Sequence, residues 1–330
     1  MISENAKLNS KIFDRDIEMI PIRNGYGDGL LTLGDENKDV VALCADLSES
    51  TRTEAFAKKY PDRFIQVGVA EQNLASVASG MSAMEKIPFI SSYAVFSPGR
   101  NWEQIRTTIC YNNRPVKIIG SHAGVSVGPD GGSHQAVEDI AIARVIPRMI
   151  VISPCDSIEA KKATIASAKT NTPVYIRLGR EKTPVVTTLD TPFEIGKAEL
   201  FFDTKGPADV LVVATGALVY RAVQVANMFE DQGVNIKVLN LHTIKPIDSK
   251  TIVEYAKEAG AVVTVEEHQI AGGMGSAVAE VLAREYPVPI EFVGVKDIFG
   301  QSGKPDELIS HYEMDEKGIR TAIQKVMKRK

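Results

Sequence analysis

One rhythm limits the fold more than anything else in the chain. Short, wholly apolar runs alternate with longer stretches of helical spacing from one end to the other. Val40–Ala45, Val116–Gly120, Met149–Ser153 and Val174–Leu178 are such runs in the first half, and Val210–Ala214, Ile236–Leu241, Ala261–Val265 and Ile290–Val293 in the second. A strand apolar on both faces needs cover on both, which is the mark of a parallel sheet between layers of helices. The intervening stretches supply the helices. In Glu71–Glu85, for example, Leu74, Val77, Ala78 and Met81 fall at i, i+3, i+4 and i+7. The predicted fold class is therefore α/β, with two parallel-sheet domains. At 330 residues the chain has room for both. The first is expected to span 1–187, opening on a loose arm over about the first 15 residues. A linker is expected over 188–207, where prolines and glycines interrupt all periodicity, and the second domain over 208–330.

Composition excludes several functions. No run approaches the roughly 18 apolar residues of a membrane span, and the polar start lacks the apolar core of a signal peptide. A net charge of -4 argues against a nucleic-acid partner. Cys44, Cys110 and Cys155 form no Cys-x-x-Cys pair, so neither a zinc site nor a disulfide framework is indicated, which fits a reducing cytosol. A cytoplasmic protein without membrane or nucleic-acid partners is expected.

The most informative single residue is Glu71. The apolar run Phe64–Ala70 leads into it, and a helix pattern begins there. A carboxylate at such a junction is shut off from bulk water and prefers to hold a proton or share one. That suits proton transfer to a bound cofactor better than it suits packing. Tyr93 and Phe96 follow in a loop and offer either an aromatic platform or core filling. Next comes the polar, glycine-rich stretch 121–135, with His122, Asp130 and His134. A metal site, a substrate-binding loop and histidines satisfied by backbone carbonyls are all readings of it, and substrate binding fits best because glycines admit a ligand to the backbone. Asp46, Ser48 and Ser50 follow the strand Val40–Ala45, at the carboxyl end where ligands sit in open α/β sheets; a helix cap is the alternative for the serines. His122 and Arg180 also follow strands, so one sheet edge could bring them together with Arg23 as anion ligands. Gly272-Gly273-Met274-Gly275 reads as a structural helix start rather than a phosphate turn, and Glu266-Glu267-His268 is left open between site and interface.

Together the segments Val67–Asn73, Ser121–Gln135, Thr264–Gln269 and Gly272–Glu280 resemble the transketolase family. The resemblance runs from about Ile20 to the end, over the pyrimidine-binding and C-terminal domains only. It implies the C-terminal subunit of a split transketolase, whose partner chain supplies the diphosphate domain and the magnesium ligands. Thiamine-diphosphate enzymes open that missing motif with Gly-Asp-Gly. Here Gly27-Asp28-Gly29 has no preceding strand and no Asn at 53–58, so it reads as a helix interior or turn, and no metal ligands are assigned to this chain. By the resemblance, Glu71 would hydrogen-bond the aminopyrimidine of thiamine diphosphate, with Tyr93 and Phe96 in its pocket and Asp46 beside it. A third aromatic position falls on Gly99. Arg23, Ser50, His122 and Arg180 would contact a sugar phosphate, Asp130 its hydroxyl groups, and His134 the reacting carbons. The implied assembly is two of these chains with two partner chains. Alternatives are the β subunit of a 2-oxo acid dehydrogenase, a deoxyxylulose-phosphate synthase-like fragment, and a non-catalytic scaffold.

Overall fold

The computed structural model describes residues 1–204 and 206–330. The apolar runs become strands of two sheets. The first has seven strands in the order Thr243–Lys245, Ile150–Ile152, Val174–Arg177, Lys117–Ser121, Ile87–Tyr93, Val40–Cys44, Phe64–Gln66. All its pairings are parallel except that of the Thr243–Lys245 edge. The second has five, in the order Ile290–Val295, Val262–Gln269, Val210–Ala214, Ile236–Asn240, Glu199–Phe202, again parallel except at the last edge. Helices cover both sheets, as two-sided apolar strands require.

Glycines set the closest approach in the first half. The helix Ile22–Glu36 contains Gly25, Gly27 and Gly29 and packs along the helix Ser157–Ala168. A Cβ on Gly25 would stand 1.7 Å from the Ser157 carbonyl oxygen, and one on Gly29 would stand 2.9 Å from Thr164 Cβ. Three glycines that weaken the helix by about 1 kcal/mol each are thus what its packing demands. Gly27-Asp28-Gly29 lies inside this helix.

Several expectations need correction. The first 15 residues are no loose arm. Ser3 N–H donates to the Phe201 carbonyl (3.0 Å), Asn9 N–H to that of Val186 (2.9 Å), and Ala6 and Ile12 are buried in the core of the second sheet. Spaced apolar residues let the arm cover the edge strand Glu199–Phe202, which would otherwise offer unpaired backbone groups. The 181–207 stretch holds strands at Lys182–Pro184, paired with Met19–Pro21, and at Glu199–Phe202; position 205 of the expected linker lies outside the described residues. Tyr93 ends a strand rather than sitting in a loop, and the helix from Trp102 widens to π geometry over Ile105–Tyr111.

Candidate active site

Glu71 is the first residue of the helix Glu71–Ala83 and is 1% exposed. Its burial matches the sequence pattern; its partners carry no such signature. Arg100 Nη1 donates to Oε2 (2.6 Å), Ser92 Oγ to Oε1 (3.2 Å), and Asn101 Nδ2 to the Glu71 carbonyl (3.0 Å). A buried carboxylate needs a partner, but that rule does not say where in the sequence the partner lies. Arg100 also lies over the Phe96 ring, 4.6 Å from its centroid. A side chain on Gly99 would meet the Val95 carbonyl oxygen at 2.0 Å, so no ring can stand at that position.

Phe96 and Tyr93 lie nearly parallel, 10° between planes and 6.1 Å between centroids. The His134 ring meets both edge-on, at 5.5 and 6.2 Å, and its Nδ1 is 2.9 Å from Ser133 Oγ. Tyr93 also stacks on His122, with ring centroids 3.9 Å apart. His122 is buried, at a left-handed φ of 58°. Its Nε2 lies 3.2 Å from Arg23 Nη1 and its Nδ1 2.9 Å from Ser121 Oγ. The arginine can only donate, so Nε2 accepts and Nδ1 carries the proton. Burial, then the charges of Arg23, Arg180 and Arg52, push the ring's pKa down to about 3.

Arg23, Ser50, His122, Asp130 and Arg180 all line one pocket of about 270 Å³, together with Tyr93, Glu49 and Arg52. Arg23 Nη1 donates to the Ser50 carbonyl and Arg180 Nη1 to that of Val127, both at 2.7 Å. Asp130 is exposed at the rim. Asp46 stands apart: it is exposed, at φ 61°, and its N–H donates to Gln66 Oε1 (2.7 Å). Arg52 and Glu49 were missed, because a charged residue in a loop carries no spacing signal.

The second half holds the histidine loop in place. Glu267 Oε1 accepts from Ser126 N–H (2.6 Å), and Gln135 Nε2 donates to the carbonyls of Val125 (3.0 Å) and Gln301 (2.9 Å). The buried pair Arg177–Asp139 (2.9 Å) adds to the seam, since Arg177 Nη2 donates to the Glu267 carbonyl (2.7 Å). Glu266 accepts from the N–H groups of Met274 and Gly275 at 2.6 and 2.8 Å, so a side chain already occupies that glycine-rich helix start. Glu266-Glu267-His268 is therefore an internal seam. Among the described residues no group of three His, Cys, Asp or Glu could hold a metal, and no helix is long and apolar enough to cross a membrane.

Comparison with known proteins agrees in both halves. The family description "Transketolase, pyrimidine binding domain" matches residues 18–185, and "Transketolase, C-terminal domain" matches 201–319. A Methanocaldococcus jannaschii chain named for a transketolase C-terminal section is 42% identical over 93% of this chain and 96% of its own. A 6-deoxy-6-sulfo-D-fructose transketolase subunit from Clostridium sp. MSTE9 is 38% identical, over 96% of this chain and 98% of that one. A solved structure described as a split gene transketolase, inactive beta4 tetramer, superposes with a TM-score of 0.87 at 45% identity, covering 94% of this chain and 99% of the other.

Proposed function

Because the chain belongs to the transketolase family and corresponds to the C-terminal section of a split enzyme, we propose that it works with a separate diphosphate-binding chain to move a two-carbon ketol unit from a ketose phosphate to an aldose phosphate. One observation carries this reading. Tyr93 belongs both to the aromatic face beside buried Glu71 and to the wall of the arginine-lined pocket, so a cofactor ring and a sugar's anionic end would lie along one continuous surface.

The residues fit the aminopyrimidine end of thiamine diphosphate. They include a flat aromatic face at Tyr93 and Phe96 and a carboxylate within 2.6 Å of a guanidinium that a ring could share or displace. When bound, the cofactor supplies the carbanion chemistry of ketol transfer. Glu71 would hydrogen-bond the ring and hold the proton that moves on and off it. Asp46 would stand beside the cofactor. Arg23, Ser50, His122 and Arg180 would take the phosphate, Asp130 the sugar hydroxyls, and His134 would face the reacting carbons. His122 stays neutral near pH 7 and accepts from Arg23, which fixes that guanidinium towards the pocket.

Magnesium and the diphosphate fall to the partner, since Gly27-Asp28-Gly29 is spent on helix packing. The relative described as an inactive beta4 tetramer supports a section that assembles alone but needs its other half to act. The assembly proposed is two of these chains with two partners, by closed two-fold symmetry, in the cytoplasm, where three free, buried cysteines are at home.

The test is reconstitution with a diphosphate-domain chain. The complex should transfer a ketol unit between sugar phosphates, and Glu71→Gln should lower kcat at least ~100-fold while leaving assembly intact. A complex that binds cofactor but consumes pyruvate without a sugar would replace this reading with the 2-oxo acid dehydrogenase one. Unaltered turnover in Glu71→Gln would remove Glu71 from the chemistry.

A further inference from the structure

Arg52 has no place in the roles above, yet it lines the same pocket as Arg23, His122, Asp130 and Arg180. Its position is an awkward one. The backbone there has φ 65°, a left-handed conformation that residues with a Cβ rarely adopt. Gly27 gives way to it, since a Cβ on that glycine would stand 2.9 Å from Arg52 Cβ. Asn24, next to Arg23 on the same helix, accepts from Arg52 Nε at 2.9 Å and fixes the plane of the fork. Nη1 reaches only the Glu49 carbonyl, at 3.4 Å, and Nη2 donates to none of the described residues.

Two carboxylates, Glu49 and Asp130, line the pocket beside the three arginines. Arg180 shares its charge with Glu181 at 3.1 Å. Neither Arg23 nor Arg52 has a carboxylate oxygen within 4.0 Å among the described residues. The two guanidiniums also act on each other: after burial, Arg52 is the largest influence holding Arg23 below its ordinary pKa. His122 is neutral and offsets nothing. Two half-buried guanidiniums with no carboxylate paired directly to either, one of them on a left-handed backbone, form a site for an anion.

We propose that Arg52 is a specificity-determining residue, a guanidinium that joins Arg23 to match the two charges of a terminal phosphate and so favours doubly charged over singly charged sugar end groups. This rests on the sugar-phosphate reading above and sharpens it. A phosphate monoester carries close to two negative charges above its second pKa of about 6, whereas a sulfonate carries one. With Arg52 gone, Arg23 alone would still balance a single charge. The loss should therefore fall on dianions.

NMR-detected titration of the full-length chain with inorganic phosphate, sulfate and methanesulfonate tests this at low ionic strength. The wild-type chain should bind sulfate, and phosphate at pH 8, more tightly than methanesulfonate. Its phosphate affinity should fall as the pH drops below about 7, where inorganic phosphate loses its second charge (about one unit above a phosphate monoester), while its sulfate affinity holds. Arg52→Gln should raise the Kd for both dianions about 10-fold and that for methanesulfonate less than about 3-fold. Arg52→Lys, which keeps the charge, should recover most of the difference. Thermal denaturation of each variant checks that it is folded. A wild-type chain that prefers dianions, with an Arg52→Gln variant that does too, overturns this inference alone. A wild-type chain that binds none of the three anions overturns the phosphate pocket itself, and the proposed substrate class with it.

Discussion

At the scale of single residues, the site works by deciding which groups are charged. His122 is surrounded by guanidiniums and buried, so its ring is neutral down to about pH 3. In the unfolded chain the same ring takes up a proton below about pH 6.5. Between those values the unfolded state binds more protons, and acid favours it. Stability should therefore fall as pH drops from about 6.5 towards about 3, by up to about 1.4 kcal/mol per pH unit from this ring. His242, buried beneath Phe193 and likewise held at about 3, contributes a second slope of the same sign. His122→Asn tolerates the left-handed backbone and should remove roughly half of this histidine-dependent loss. Urea unfolding at a series of pH values between about 4.5 and 7.5 would show it. An unchanged slope in the variant would mean that His122 takes up its proton alike in the folded and unfolded chain.

At the scale of elements, glycine positions make the sharpest contrast. Gly25 faces the Ser157 carbonyl oxygen with no room for a methyl group, whereas Gly80, exposed on the helix Glu71–Ala83, has nothing within 4 Å of where a methyl group would stand. Gly25→Ala should cost about 3 kcal/mol or more, because two helix backbones must separate. Gly80→Ala should gain about 1 kcal/mol from helix propensity alone. Both are read from urea midpoints, and equal effects would show that the Ile22–Glu36 helix shifts freely. The same contrast explains what the sequence made legible. Strands such as Val40–Cys44 and Val210–Ala214 are apolar on both faces, so their pattern alone announces them. Met19–Pro21, Lys182–Pro184 and Thr243–Lys245 are three-residue strands that exist only because a distant segment pairs with them, and no local pattern marks them. His122 and Arg180 could be placed together because each follows a strand of one sheet; Arg23, Ser50 and Asp130 joined them only through the family resemblance. Arg100 and Arg52 escaped because a salt bridge or a shared pocket is a fact of the folded chain, not of spacing.

At the scale of the whole molecule, the question is how much of a cofactor this chain can hold alone. It offers one buried carboxylate and an aromatic face, both suited to a ring. The carboxylate is already engaged with Arg100 at 2.6 Å, a charge-assisted contact that an incoming ring must share or break. A diphosphate brings several negative charges and a magnesium ion, and among the described residues no cluster of three suitable side chains stands ready for the metal. A ring hydrogen bond and a stacking contact are worth about 1–1.5 kcal/mol each, far short of the roughly 8 kcal/mol that micromolar binding requires. The isolated chain should therefore bind thiamine diphosphate, with magnesium present, no more tightly than a Kd of about 100 µM. Adding the diphosphate-binding partner should lower that by at least ~100-fold. Calorimetry of the chain alone and of the complex measures both, and micromolar binding by the chain alone would refute the division of the cofactor between two polypeptides.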